Sequence, residues 1–273
     1  LNKKIHWISC SYKNNWNLDP KDLMKKCEEI KNEHKLLIIN SPNNPTGNTH
    51  NNLKDLARVI KENNIIVISD EIYAELDFSG QYNSLTHFCP ENIIISSGLS
   101  KWCGAGGWRI GHIVFPKNLN FIRDAVRKIA SETYTSVSTP IQYAAIKAFT
   151  ENHKKYINNS RKILKKISEH IYKELSSVGV ICNKTQGGFY MICDFTEVVK
   201  KNNEIIDGKS LTKKILKDIG FAMLPGSDFG LDDDRLLSRI AFVDFNGDKA
   251  LKLINEKKND LSIICPKIIK GIN

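Results

Sequence analysis

LLIINSPNNPTGNTHNNLKDLARVIKENNIIVIS, residues 36–69, carries the decision about the fold. Its ends are short continuous apolar runs, LLIIN (36–40) and IIVIS (65–69), of the kind that suits strands covered on both faces of a parallel sheet. Between them Leu53, Leu56, Val59 and Ile60 recur at helical spacing, and Asn51 or Asn52 can cap that helix. Strand, helix, strand predicts a doubly wound α/β sheet. IIISS (93–97) adds a third buried strand, and RIGHIVFP (109–116) a further one after a glycine-rich loop. SPNNPTG (41–47) stops the first strand abruptly. Asn, Pro and Gly are ordinary turn residues, so the stretch alone asks only for a turn.

Downstream, FIRDAVRKIASE and IQYAAIKAFTEN read as helices flanking a break at Ser138–Pro140. Residues 153–177 form a long amphipathic helix with Tyr156, Ile163, Leu164, Ile167, Ile171 and Leu175 on one face, and Gly179 ends it. GVICN, GGFYMICDF and SRIAFVDF then read as strands and LTKKILKDIG as a helix, with DKALKLINEKKND as the final helix. The expected organisation is a large domain over residues 1–151 and a smaller α/β domain over 152–273. No internal repeat or low-complexity segment interrupts it.

A chain of 273 residues, 41% hydrophobic and 26% charged, has enough apolar material for a real core. The net charge of +10 suggests nucleic acid. The lysines, however, are spread along helical faces and mixed with Glu, Asn and His, as in HKKYINNSRKILKKISEHIYKEL, so no nucleic-acid partner is expected. No run reaches the roughly 18 apolar residues of a membrane span. LNKKIHWISC lacks an apolar segment followed by a small-residue cleavage site, which favours a cytoplasmic protein without membrane partners. Seven scattered cysteines without a CxxC pair suggest neither a disulfide framework nor a zinc site, so no metal is expected. The chain opens on Leu1 rather than Met, and a fragment is the expectation.

The polar residues fall at strand ends. Asn44 follows the first strand, Asp70 closes the second with Tyr73 just beyond, and Lys101 follows the third. Open α/β sheets bind ligands outside the carboxyl ends of their strands. Each residue has an ordinary use: Asn44 in a turn, Asp70 as the cap of a helix starting at Glu71, Lys101 as a loop lysine. Together they bring an amide, a carboxylate, a phenol and an amine to one edge. SSGLSKWCGAGGWRIG (96–111) adds Ser100, glycines that permit close backbone approach, and Arg109. It is not a dinucleotide fingerprint, because Arg109 stands where the third glycine belongs and a strand, not a helix, follows. A lysine nucleophile, a carboxylate, a hydroxyl and an arginine are what pyridoxal 5′-phosphate requires. The lysine bonds the aldehyde, the carboxylate keeps the pyridine nitrogen protonated, and Arg and Ser hold the phosphate.

SPNNPTG, SDEIYAEL, SSGLSKWCGAGGWRIG, GGFY, PGSDFG and SRIAF occur in an order that resembles the class I/II aminotransferases, fold-type I pyridoxal-phosphate enzymes. The resemblance runs from about residue 16 to the end. It implies a mostly parallel central sheet between helices, here incomplete, with a smaller C-terminal α/β domain. Lys101 matches the Schiff-base lysine, Asp70 the pyridinium partner, Tyr73 and Asn44 the donors to the ring oxygen, and Ser100 and Arg109 the phosphate ligands. Arg239 matches the arginine that grips the substrate α-carboxylate; position alone would not choose it over Arg235, but it opens the strand RIAFV. Pro225–Gly230 would line the mouth of the substrate site. The family's phosphate-binding helix, ring-stacking aromatic and partner-reaching tyrosine have no match here; Trp7, Tyr12 and Trp16 precede the first strand. A hydroxyl common three residues before the lysine is Gly98. The implied activity is transfer of an amino group between an amino acid and a 2-oxo acid by a homodimer. Elimination at carbon–sulfur bonds, a cyclopropane-forming synthase and a non-catalytic remnant are the alternatives.

Overall fold

The computed structural model describes residues 4–31, 33–200 and 204–272. The chain divides into two compact units, one comprising Leu1–Pro42, Thr49–Glu75 and Gln81–His153, the other Asn43–Asn48, Leu76–Gly80 and Lys154–Asn273.

The first unit is built on a four-stranded sheet, β1 (Leu36–Asn40), β2 (Ile66–Asp70), β3 (Ile93–Gly98) and β4 (Gly111–Val114), in that spatial order. The first three strands are parallel, and β4 runs antiparallel to β3. Register aligns the tips: Asn40 pairs with Asp70, and Asp70 with Ser96. Helix α1 (Pro20–Glu29), which the sequence reading missed, starts with proline at its first position and is capped by Asp19, whose side chain accepts the Lys21 N–H. Helix α2 (Leu53–Glu62) follows Asn52, but the Asn52 side chain donates to Leu18 O at 2.7 Å instead of capping. Leu56, Val59 and Ile60 of α2 pack with Leu23 and Cys27 of α1 on Ile39, Val67 and Ile93. Fully burying each of these aliphatic side chains contributes about 1.5–3 kcal/mol.

That layer covers one face of the sheet. On the other, Leu36 is 59% and Ile38 69% exposed. The expectation of strands covered on both faces therefore holds at Ile93 and Ile94 but not at β1, where no described residue covers the outer face. Beyond β4 come α3 (Asn120–Thr133) and α4 (Thr139–Thr150), the latter with Pro140 in its first turn. Ala145 of α4 is buried with Leu99 and Ala105, which flank Lys101 in sequence.

The second unit has α5 (Lys154–Ser177), with Ile163, Leu164, Ile167, Ile171 and Leu175 buried; Tyr156 lies at its exposed margin. Gly179 follows its end at φ +90°. Strands β5 (Ile181–Cys182), β6 (Tyr190–Asp194), β7 (Leu224–Pro225) and β8 (Leu237–Ala241) form an antiparallel sheet ordered β5–β6–β8–β7. Helix α6 (Gly208–Ile219) is capped by Asp207, which accepts Ser210 N–H at 2.7 Å. Helix α7 (Gly247–Asn255) is not the last: α8 (Leu261–Ile264) and α9 (Pro266–Ile272) follow. Pro266 divides this tail into pieces too short for a clear period, but Ile264, Cys265 and Ile268 are buried. Among the described residues, no helix is long and apolar enough to cross a membrane.

Candidate active site

In the first unit the polar groups collect where the parallel strands end. The tip of β1 holds the tip of β2: Asn40 Nδ2 and the Ser41 amide both donate to Asp70 O, at 2.9 and 3.1 Å. The Asp70 carboxylate accepts the Ile72 N–H at 3.2 Å and shapes the following turn, but no helix starts at Glu71; a short 3-10 helix follows at Ala74–Leu76. Asp70 is also half-buried. Burial raises its pKa, while the Ile72 amide and the Lys101 charge pull the other way. Tyr73, buried, lies beneath Lys101, whose Nζ is 5.6 Å from the centre of the phenol ring. Asp70, Tyr73 and Lys101 are thus brought together. The Lys101 loop is set by its neighbours: Ala105 N–H donates to Leu99 O at 3.2 Å, Gly104 N–H to Lys101 O at 3.2 Å, and Leu99 and Ala105 anchor it on Ala145.

Ser100 is half-buried beside Lys101. Arg109 is exposed, has a left-handed backbone (φ 54°), and turns its guanidinium onto its own loop, donating from Nη1 to Gly106 O at 2.8 Å. Gly98 has a packing reason: a methyl there would lie 2.9 Å from Ile110 O on the antiparallel neighbour.

Sequence reasoning missed Glu71. This buried carboxylate accepts the hydroxyls of Ser69 (3.0 Å) and Ser84 (2.6 Å), while its backbone N–H donates to Ser96 O at 2.9 Å. It fixes the backbone on which Asp70 and Tyr73 sit. Nothing in DEIY distinguishes that duty from an exposed helix-starting glutamate.

In the second unit the NNPTG part of SPNNPTG, residues 43–47, becomes a docked loop. Thr46 Oγ1 donates to Asn43 Oδ1 at 2.8 Å, and Gly47 N–H to Asn43 O at 2.8 Å. Gln186 and Gly187 amides donate to Gly47 O, and Asn183 Nδ2 to Thr46 O. Gly47 has φ +69°, and a Cβ there would strike Tyr190 O and Thr185 Cγ2, so only glycine fits. Asn44, held in this loop, accepts from Arg239 Nη1 at 2.9 Å. The Arg239 guanidinium lies between two rings, 4.2 Å from the centre of Tyr190 and 4.6 Å from that of Phe229. Its Nε is buried and has no hydrogen-bond partner among the described residues. Arg235, the competing arginine, is paired with buried Asp194. Sequence reasoning also missed Tyr190, although alternation offered a signal: residues 190 and 192 share a face of β6, and Ile192 pairs with Arg239.

The family model for aminotransferase class I and II matches residues 3–246. The chain belongs to that family. The family member is 35% identical over 214 residues to an aspartate aminotransferase of Bacillus sp. strain YM-2, an alignment covering 74% of this chain and 53% of that protein. It is 31% identical to the aspartate aminotransferase of Sulfolobus acidocaldarius, over 83% of this chain and 56% of the relative. Among solved structures, alanine aminotransferase of Pyrococcus furiosus superposes with a TM-score of 0.77 at 27% identity, over 96% of this chain and 61% of that one. Thermus thermophilus aspartate aminotransferase with maleate gives 0.76 at 26%, over 90% and 62%. The family member therefore spans about half the length of these curated relatives, and its fold is an incomplete fold-type I aminotransferase fold.

Proposed function

We propose that the protein is a pyridoxal 5′-phosphate-dependent aminotransferase, moving an amino group between an α-amino acid and a 2-oxo acid. The observation that carries this reading is the approach of Lys101 Nζ to the Tyr73 ring beside a carboxylate, Asp70, whose burial calls for a cationic partner. The donor set fits the cofactor chemically. Lys101 would hold it through its amine, Asp70 would pair with the protonated ring nitrogen, Tyr73 and Asn44 would donate to the ring oxygen, and Ser100 with Arg109 would hold the phosphate. When bound, the cofactor supplies an electron sink for charge developing at the substrate's α-carbon.

The chain's own residues do the rest. Arg239 would take the α-carboxylate; its guanidinium carbon lies close to two ring centres and its buried Nε lacks a partner among the described residues. The Lys101 amine, once free, moves the α-proton, a role that contributes roughly 10²–10⁴ in rate. Pro225–Gly230 would border the substrate through Phe229, which stacks on Arg239. A homodimer is part of the reading, supported by exposed apolar side chains on α3 and α4, among them Phe121, Ile129, Tyr143, Ile146 and Phe149. A cytoplasmic setting is supported by seven unbridged cysteines.

The test is isotopic. With added pyridoxal phosphate, a heavy-nitrogen-labelled amino acid and a panel of 2-oxo acids, label should pass into a new amino acid, and Lys101→Ala should abolish the passage. Release of labelled ammonia in step with substrate loss would mean elimination. No transfer above the Lys101→Ala blank would leave the reading without support.

A further inference from the structure

Cys182 and Cys193 face each other across the edge of the second unit's sheet. They are register partners in the antiparallel pairing of β5 with β6. Opposed residues in such a pair lie on one face with Cα atoms about 4.5–5.5 Å apart, inside the range a disulfide spans. Ser176 Oγ lies 3.6 Å from Cys182 Sγ. Cys182 is half-buried on the outermost strand; Cys193 is fully buried behind it.

The seven thiols are not alike. Cys10, Cys27, Cys89, Cys103 and Cys265 are all pushed upward by burial. Cys182 alone moves down, to about 7, chiefly through its hydrogen bond with Cys193, while Cys193 is pushed up. Thiolate character and access select the cysteine that oxidises first.

We propose that Cys182 and Cys193 form a hydrogen-peroxide-sensitive dithiol, Cys182 attacking and Cys193 resolving. Cys182 sulfur attacks one peroxide oxygen and the O–O bond breaks, giving a sulfenic acid and one water. The Cys193 thiol then attacks the Cys182 sulfur, the S–O bond breaks, and a second water leaves as the S–S bond forms. Two thiols lose two electrons and two protons, and the peroxide becomes two waters. The product staples the short edge strand to β6, whose other flank pairs with the Arg239-bearing strand. It is independent of any bound cofactor.

Peptide mapping of the full chain tests this. Trypsin cuts after Lys184, so the two cysteines fall on separate peptides, 174–184 and 185–200. After hydrogen peroxide and alkylation under denaturing, non-reducing conditions, labelling of Cys182 and Cys193 should fall together by roughly tenfold, with the two peptides joined and reversed by dithiothreitol. Cys193→Ser should stop Cys182 at a sulfenic acid that dimedone captures. Cys182→Ser, a change at a half-buried position, should leave Cys193 reduced. The proposal is overturned if the wild-type peptides stay separate while other cysteines oxidise, or if Cys193 oxidises equally fast in Cys182→Ser.

Discussion

A guanidinium held between two aromatic rings has few orientations left, and at Arg239 this restriction is the chemistry. Tyr190 and Phe229 lie against it and Asn44 accepts from Nη1. Arg239→Gln should weaken binding of a 2-oxo acid roughly thirtyfold, about 2 kcal/mol for one charge-assisted contact. Calorimetric titration reads this, and an unchanged Kd would remove Arg239 from the site. A second residue-scale effect concerns His50. It is buried, its Nδ1 accepts Leu18 N–H at 3.4 Å, and burial lowers its pKa to about 4. The unfolded chain protonates near 6.5 and the folded chain only near 4, so the unfolded state binds more protons between those values. Stability should therefore fall as pH drops through that window, by about 3 kcal/mol in all. Urea melts at neutral pH and near pH 4 measure it; His50→Gln should flatten the dependence. Lys101, Asp70 and Arg239 were singled out because a resemblance pinned them to motifs. Tyr190 and Glu71 were not, because aromatic and acidic residues at strand ends have many commoner uses.

Elements were legible where period was strong. The strand–helix–strand of residues 36–69 emerged with β2 at Ile66–Asp70, one residue on from the apolar run, because the ladder continues through Asp70 to Ser96. Helix α1 was missed because its apolar face is short, with only Leu23 and Cys27 buried, and α8 and α9 because Pro266 splits them. Neither the docking of SPNNPTG on Asn183, Gln186 and Gly187 nor the bracing of β2 by Glu71 leaves a periodic signal. Glu71 belongs to this scale because it joins the end of β2 to the loop at Ser84 and to β3. Glu71→Leu should strand the Ser69 and Ser84 hydroxyls, costing about 1–3 kcal/mol for each one left unsatisfied. Glu71→Gln keeps an acceptor and should recover most of that loss. Paired denaturant melts decide it; equal stability of the Leu and Gln variants would contradict the bracing role.

At the scale of the molecule, an apolar strand face exposed at β1 is unusual, since strands of βαβ sheets are normally covered on both sides. Leu36 and Ile38 lie on that face, in a chain spanning about half the length of its curated relatives. The chain carries the set of strand ends and following loops that bear Asp70, Tyr73 and Lys101. The central claim is that Lys101 is chemically set apart from the molecule's other lysines by those neighbours. Incubation with pyridoxal phosphate, borohydride reduction and peptide mapping tests it directly. The account predicts that the reduced adduct concentrates on Lys101 and falls at least about tenfold at that position in Asp70→Asn, where the carboxylate partner is lost. An adduct spread evenly over surface lysines, or one on Lys101 indifferent to Asp70→Asn, would contradict it.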